Sequence, residues 1–299
     1  MMDRTNEIAS THLGKKSVGS EVYDPSLLVV VPRIENRKQY DIQNNNLPFK
    51  GFDIWHAYEV SFLTENGIPV TKVLKLKYNC DNEYLIESKS LKLYLNSFNM
   101  SRFGKNIQEA LEVVKSLIKK DLSEKLKTDV ELEFLDDISS RVVVFESFQN
   151  IMNFVDDSNL KISKFKESPE LLEVENINDN KSYYLKFDSL RSNCRVTHQP
   201  DFGEAFIYYK SKKHILESSL LQYLSSFRSE YHFHEECCEM IFKRLQGILN
   251  EDDELFVGCL YTRRGGIDIC PMRWKSNTKI LDLDKFSDLS VFARCGIKQ

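Results

Sequence analysis

The chain has 299 residues, of which 41% are hydrophobic and 29% are charged, and its formal net charge at pH 7 is -4. That length suits roughly two ordinary domains with a sizeable core, which excludes a small scaffold held together by disulfides. A net negative charge without a long basic stripe gives no electrostatic reason to bind nucleic acid, so the expected partner is a small molecule or a protein.

Cysteine usage and apolar runs indicate a cytoplasmic protein. The seven cysteines are scattered and lack any CxxC pair, so neither a disulfide framework nor a zinc ribbon is indicated. The longest apolar run near the start, residues 27–31, ends at Pro32 and is far shorter than the ~20 residues of a membrane helix. We therefore expect no membrane span and no secretory signal.

The first strongly patterned elements form a predicted hairpin. Residues 57–63 and 70–78 read as strands and flank an Asn66-Gly67 turn. Because both turn residues tolerate positive φ, this arrangement favours two antiparallel strands.

An internal repeat follows the hairpin. ESKSLKLYLNSF from Glu87 aligns, with one gap, with ESSLLQYLSSF from Glu217. A plausible strand at residues 205–209 precedes the second copy. Each copy is followed by a predicted amphipathic helix and then by a predicted strand, at residues 129–135 in the first case and 255–261 in the second.

The apolar stripes of the two helices are Ile107, Ala110, Leu111, Val114, Leu117 and Ile118 after the first copy, and Cys237, Ile241, Leu245 and Leu249 after the second.

The repeat predicts an α+β protein with two tandem modules. Each module reads strand, strand, helix, helix, strand, strand, with helices packed on one face of an antiparallel sheet. We expect an N-terminal arm at residues 1–45, a first module at residues 46–145, and a linker plus second module at residues 146–299. Residues 141–185, which include the polar cluster 176–181, read as a linker with some local structure.

The segment SNCRVTHQPDFG, residues 192–203, is the best candidate for chemistry. It holds a cysteine and an aspartate, Cys194 and Asp201, among polar residues unsuited to a core. An ordinary thiol has a pKa of about 8.5, so a nearby carboxylate that accepts its proton would make it a better nucleophile. The alternatives are a buried, inert Cys194 and an Asp201 that only shapes the turn after Pro200.

Two further segments contain residue types that can ligate a metal or bind phosphate. HFHEECC contains zinc-ligand types at His232, His234, Cys237 and Cys238, but on a helix only the second and fourth share a face, so no metal site is expected and Cys237 reads as helix core. In TRRGGID, residues 262–268, the arginine guanidinium groups and the glycine backbone could approach phosphates closely. The alternative is a hairpin turn whose charges are only solvated. No GxGxxG follows a strand, so a Rossmann domain is unsupported.

Six motifs resemble one family over nearly the whole chain. These segments are similar to the NADPH-dependent 7-cyano-7-deazaguanine reductases of queuosine biosynthesis, the QueF family, in its long two-module form. The motifs are LGKKSVGSEVYDPSLL from Leu13, DIWHAYEVSFL from Asp53, ESKSLKLYLNSFN from Glu87, SNCRVTHQPDFG from Ser192, FHEEC from Phe233 and YTRRGGIDICP from Tyr261. The resemblance implies two tunnelling-fold modules with active sites between modules, a cytoplasmic homodimer, and NADPH as cofactor.

The resemblance also implies roles for individual residues. Cys194 would attack the nitrile and form a thioimide, which is reduced to an amine at the expense of two NADPH, while Asp201 acts as general acid and base. His234 would contact the base or assist proton transfer. The substrate residues implied are Ile86, Glu87, Ser88, His234 and Glu235, and the cofactor residues are Ser88, Lys89, Arg264 and Gly265, with Lys92 adding positive charge nearby.

Some interpretations remain open. Glu87 would accept hydrogen bonds from a guanine-like ring together with Glu235, or would be only an acid that complements a helix dipole. The chain departs from the family pattern at Arg195, at Cys270, and at residues 82–83. The alternative functions are a zinc-dependent purine or pterin hydrolase of the same fold and a non-catalytic base-binding module.

Overall fold

The computed structural model describes residues 22–296 and residue 298. The first part of the motif that begins at Leu13, and residues 1–21 of the expected arm, lie outside the described residues. The strands are β1 (Val30–Pro32), β2 (Lys50–Leu63), β3 (Pro69–Asn79), β4 (Tyr84–Ile86), β5 (Glu131–Leu135), β6 (Ser140–Val143), β7 (Gln149–Asn150), β8 (Val174–Asn193), β9 (Pro200–Ile215), β10 (Glu254–Tyr261), β11 (Ile267–Trp274) and β12 (Val291–Arg294). The α-helices are α1 (Ile34–Arg37), α2 (Ser88–Asn96), α3 (Ile107–Leu126), α4 (Glu217–Ser225), α5 (His234–Ile248) and α6 (Leu281–Ser287).

Eight strands form one sheet in the order β5, β3, β2, β11, β10, β9, β8, β7. All neighbours are antiparallel except β7 and β8. The two repeated halves meet where β2 pairs with β11, for example at Trp55 opposite Ile269. The predicted hairpin is confirmed as β2 and β3, and Gly67 in its turn has a φ of 82°. The α+β class with two tandem modules is therefore confirmed, and the two modules share a continuous sheet.

Helices α2 to α5 cover one face of this sheet, as predicted. Asn106 is the N-cap residue of α3: its side chain accepts a hydrogen bond from the Glu109 N–H at 2.9 Å. The apolar stripe of α3 packs against the first half of the sheet except for Ile107, which is 46% exposed, and the stripe of α5 is buried against the second half. No helix among residues 22–296 is both long and apolar enough to cross a membrane.

The opposite face of the sheet carries a smaller apolar cluster that the sequence did not predict. Phe145, Phe206, Phe256 and Phe286 belong to it, and α6 and β12 cover that face. The module pattern predicts a further strand in the sheet after β5. β6 instead leaves the sheet and pairs in parallel with β12.

The prediction of a linker through residues 141–185 is wrong for its last part. β8 begins at Val174 and pairs with β9 along nearly its whole length. Its first half is mostly exposed, so it lacks the apolar alternation that reveals a half-buried strand. A register shift between Asn176 and Lys181 falls on the polar cluster. The boundaries 1–45, 46–145 and 146–299 stay predictions.

Candidate active site

The loop between β8 and β9 presents Cys194. The loop is closed by hydrogen bonds from the Cys194 N–H to the Gln199 carbonyl at 2.8 Å and from the His198 N–H to the Cys194 carbonyl at 3.0 Å. Cys194 is half-buried and lines a cavity, which does not fit the alternative of an inert core cysteine. In the strand register Asp201 lies opposite Ser192, so the hairpin brings the carboxylate back beside the thiol-bearing turn.

Asp201 is buried beside two nitrogen-bearing side chains. His234 Nε2 lies 3.5 Å from its Oδ2, and the Arg264 guanidinium contacts its Oδ1. Burial by itself would raise the pKa of Asp201, but the hydrogen bonds and positive charges of His234 and Arg264 outweigh burial and hold the pKa below its ordinary value. Asp201 is therefore an ionised carboxylate near neutral pH, and its oxygens accept hydrogen bonds from His234 and Arg264.

The first turn of α5 supplies His234 and Glu235. The His234 ring stacks on Tyr261 with centroids 3.7 Å apart and an interplanar angle of 7°. Glu235 is 2% exposed, and its Oε1 has no hydrogen-bond partner among the described residues. Burial, with the negative charge of Asp53, raises the pKa of Glu235 to about 8. A buried acceptor that lines a cavity in this way is suited to a ligand N–H group.

Glu87 both caps a helix and lines the same cavity. It is the N-cap residue of α2, and its carboxylate accepts hydrogen bonds from the N–H groups of Lys89 at 2.9 Å and Ser90 at 2.6 Å. Burial raises the pKa of Glu87. Glu87 therefore does cap the helix, and each of its carboxylate oxygens keeps a second lone pair that could accept a hydrogen bond from a ligand.

The cavity lining includes three cations. Lys89, Lys92 and Arg264 line it together with Gly265, which belongs to the turn between β10 and β11. Gly265 and Gly266 have φ values of 56° and 82°, as a tight two-residue turn requires. Three cations beside exposed turn backbone fit the phosphates of a dinucleotide.

The two arginines of the TRRGGID segment have different surroundings. The Arg263 guanidinium lies 4.7 Å from the centroid of the Tyr58 ring, and Arg263 does not line the cavity. The cation that this segment contributes to the cavity is therefore Arg264.

The cavity has a volume of about 360 Å³, within the usual range for small-molecule sites. It lies between the two modules and brings together every site residue expected from the sequence: Cys194, Asp201, His234, Ile86, Glu87, Ser88, Glu235, Lys89, Arg264 and Gly265. Sequence reasoning missed these lining residues: Trp55, Thr197, Gln199, His232, Phe233, Ile267 and Ile269. Trp55 and Phe233 lie inside quoted motifs, and their aromatic side chains were the available signal.

The zinc-type residues of HFHEECC do not converge on one point. Cys237 and Cys238 lie in the core, and burial raises the pKa of the Cys237 thiol to about 12. A different group, His56, Asp268 and Cys270, comes together on the opposite face of the sheet. There His56 Nδ1 and Asp268 Oδ1 are 2.7 Å apart, which is a hydrogen-bond distance.

Comparisons with known proteins agree along most of the chain. The family model described as nitrile reductase, 7-cyano-7-deazaguanine-reductase N-term, matches residues 20–134, and the one described as QueF-like protein matches residues 200–279. A Rickettsia bellii (strain OSU 85-389) protein named NADPH-dependent 7-cyano-7-deazaguanine reductase is 39% identical over 267 residues, covering 89% of this chain and 93% of the relative. A Rickettsia felis protein of the same name is 39% identical over 285 residues, covering 93% of this chain and 97% of the relative.

The α+β fold and the matched family models place the chain in the tunnelling-fold class of two-module proteins, and the names of its relatives make it an oxidoreductase. With relatives this similar over nearly their whole length, the narrower family is clear as well. The chain belongs to the family of NADPH-dependent 7-cyano-7-deazaguanine reductases.

Proposed function

We propose that this chain reduces the nitrile of 7-cyano-7-deazaguanine to the amine of 7-aminomethyl-7-deazaguanine, with NADPH as reductant, in queuosine biosynthesis. The observation that carries the proposal is a single cavity, in a chain of this family, lined by the thiol of Cys194, the carboxylate of Asp201 and the carboxyl of Glu235.

Cys194 is the proposed nucleophile. A nitrile carbon is a modest electrophile and accepts hydride more readily after a thiolate has added to it. In that step a carbon–sulfur bond forms, the carbon–nitrogen triple bond becomes a double bond, and the nitrogen takes up a proton. The product is a thioimide joined to Cys194.

Asp201 is the proposed proton carrier for this step. With its pKa held low by His234 and Arg264, it is ionised near neutrality and accepts the proton of the Cys194 thiol. It then delivers that proton to the nitrile nitrogen as negative charge develops there. His234 Nε2, 3.5 Å from Asp201 Oδ2, orients the carboxylate and can pass a proton to it.

Glu235 and Glu87 are the proposed acceptors for the base. The ring amide and exocyclic amine of a deazaguanine are two adjacent donors, which suit a carboxylate. Ile86 and Ser88 lie beside Glu87 and line the same cavity, where they would contact the ring.

NADPH is the proposed reductant for two successive reductions, and when bound it supplies hydride. Between the two reductions the carbon–sulfur bond breaks and Cys194 leaves as the thiolate, so that the remaining imine takes up the second hydride and a proton to give the amine. Lys89 and Arg264 would bind its phosphates, with Ser88 and the backbone of Gly265 beside them.

A cytoplasmic homodimer is also part of the proposal. The odd number and scatter of the cysteines suit a reducing compartment. Phe202 lies on β9 just after the Cys194 turn, and Tyr231 forms a β-bridge with Asn193 just before that turn; they are 48% and 44% exposed, and a second copy would cover them. Light scattering coupled to size exclusion should give twice the mass of one chain; a monomer mass would contradict this part.

The central test is intact-protein mass spectrometry after incubation with the nitrile and no cofactor, followed by peptide mapping. We expect one adduct per chain on Cys194, none in Cys194→Ala, and an undiminished adduct in Cys295→Ala, which removes another half-buried cysteine. Asp201→Asn should form the adduct on the order of 100-fold more slowly. An adduct that persists in Cys194→Ala, or no adduct in the native protein, would overturn the assignment.

A further inference from the structure

We propose that Arg195 is a positioning residue, which holds the Cys194 turn against the first turn of α5 through an ion pair with Glu236. The inference rests on the proposed function, because it takes Cys194 as the nucleophile. It adds to that function a residue that touches neither the substrate nor the cofactor.

The ion pair is short and removed from solvent. Arg195 Nη1 lies 3.0 Å from Glu236 Oε1 and 3.3 Å from Oε2. Arg195 is 8% exposed and Glu236 is 3% exposed. Salt screens a pair at this depth much less than it screens a surface pair, so the contact restrains both partners at ordinary ionic strength.

Glu236 is itself fixed at the start of α5. Its Oε2 accepts a hydrogen bond from the Phe233 N–H at 3.0 Å, which caps the helix, and His232 Nδ1 lies 3.5 Å from the same oxygen. His234 and Glu235 precede Glu236 in that turn. Arg195 therefore reaches the same helical turn that presents His234 and Glu235 to the cavity.

The residue on the other side of Cys194 is anchored as well. The Asn193 N–H donates to the Glu230 carbonyl at 2.8 Å, and the His232 N–H donates to the Asn193 carbonyl at 3.1 Å. Cys194 thus lies between a backbone anchor at Asn193 and a side-chain anchor at Arg195. The backbone anchor would survive a change of the Arg195 side chain, so the ion pair can be tested separately from the rest of the turn.

Positioning of this kind affects the attack step more than ligand binding. A displacement of about 1 Å between reacting groups can cost on the order of 100-fold in rate. Of the proposed cofactor residues, Lys89 lies on α2, whereas Arg264 donates to Gln199 of the Cys194 turn at 2.6 Å, so the loss of the Arg195 pair should change the KM for NADPH less than the rate of attack.

The test measures the rate at which the nitrile forms the Cys194 adduct without cofactor, together with kcat and the KM for NADPH. We expect Arg195→Leu to slow adduct formation and kcat on the order of 10- to 100-fold, with a much smaller change in the KM for NADPH. Arg195→Lys should recover most of the rate because it restores the positive charge. Glu236→Gln, which keeps a capping acceptor but removes the charge, should slow the step similarly.

A double-mutant cycle and a matched control decide between positioning and general stability. If the pair acts as a unit, Arg195→Leu combined with Glu236→Gln is no slower than either single variant. Arg244→Leu removes another Arg–Glu pair of α5, with Glu167 at 2.9 Å, and should lower the melting temperature without slowing adduct formation.

Three outcomes would overturn the proposal: an Arg195→Leu variant that reacts at the native rate, one that slows no more than Arg244→Leu, or single-variant losses that simply add in the double variant. Should Arg195→Leu not fold, Arg195→Lys and Glu236→Gln carry the same comparison. Failure of the proposed function is distinguishable, because then the native protein itself forms no Cys194 adduct.

Discussion

The pKa of Glu235 is set by its burial and by neighbouring charged side chains. Its carboxyl lies near Asp53, which disfavours ionisation, and near Arg33 and Arg273, which favour it. Burial is the largest influence, and the net result is a pKa raised to about 8. If ionised Glu235 accepts the two donors of the base, the free protein must lose a proton from this group before it binds at neutral pH.

We therefore predict that base affinity rises with pH. Below the raised pKa of Glu235, binding releases one proton, so affinity should increase roughly tenfold per pH unit between about pH 6 and 8 and level off above that. The measurement is calorimetric titration of the Cys194→Ala variant, which cannot form the adduct, in buffers of different ionisation enthalpy. Glu235→Gln serves as control and should bind more weakly, with no such pH dependence. An affinity for Cys194→Ala that stays constant from pH 6 to 8 would exclude ionised Glu235 as the acceptor.

Lys75 links two elements that are distant in sequence. It is fully buried on β3, and its Nζ donates to the carbonyls of Phe286 at 2.7 Å, Asp288 at 2.8 Å and Val291 at 2.8 Å. These carbonyls lie at the end of α6 and the start of β12. One ammonium group thus satisfies three backbone acceptors and fixes the C-terminal segment against the sheet.

We predict that Lys75→Met destabilises the protein by about 3 kcal/mol, because it leaves buried carbonyl groups without a donor. Hydrogen exchange followed by mass spectrometry should show faster exchange in residues 281–294 while α3 stays protected. Lys77→Met is the matched control. Lys77 lies on the same strand as Lys75 and forms a more exposed ion pair, at 2.9 Å, with Glu131 of β5, so its replacement should destabilise the protein by less than about 1 kcal/mol. Equal effects of the two variants would refute a special role for Lys75.

A buried charge network joins the N-terminal arm to both modules. Glu239 on α5 accepts from Arg37 at 2.7 and 2.8 Å and from Arg273 at 2.9 and 3.2 Å. Asp53 on β2 contacts Arg33 at 2.5 Å and Arg273 at 2.8 Å. The network lies where β2 and β11 join the two halves of the sheet, so it couples the halves as well as the arm.

Burial alone would raise the pKa of Glu239, but the surrounding arginines outweigh burial and lower the pKa to about 2. A carboxyl whose pKa is lower in the folded than in the unfolded state stabilises the fold above the unfolded pKa, and that stabilisation is lost as pH falls towards the folded pKa. Its contribution should therefore be complete near neutrality and fade between about pH 4.5 and pH 2.

We predict that Glu239→Gln lowers the free energy of unfolding at pH 7 by about 3 kcal/mol or more, because it leaves buried arginines without their counter-charge. Guanidinium unfolding at several pH values checks this, and the difference from the native protein should shrink as pH falls below 4.5. Glu167→Gln, which affects a more exposed pair with Arg244, should cost about 1 kcal/mol or less. A Glu239→Gln variant as stable as the native protein at pH 7 would contradict the prediction.

The sequence by itself determined the local elements and the chemistry-bearing motifs. Asn66-Gly67 specified the hairpin, the apolar stripes specified α3 and α5, and the repeated segments specified two modules, because turn chemistry and periodicity act over a few residues. Cys194 and Asp201 also lie in one short polar segment, with Cys194 in the loop between β8 and β9 and Asp201 near the start of β9. The individual roles of these site residues stay predictions until the adduct is measured.

Only the tertiary structure decided how distant segments meet. The pairing of β2 with β11, the parallel pairing of β6 with β12, and the strand at residues 174–193 left little local signal. The contact of Arg195 with Glu236 joins residues 41 positions apart, and that of Lys75 with Val291 joins residues 216 apart. Such contacts depend on which surfaces are buried together when the whole chain folds, and local sequence patterns do not predict which surfaces these are.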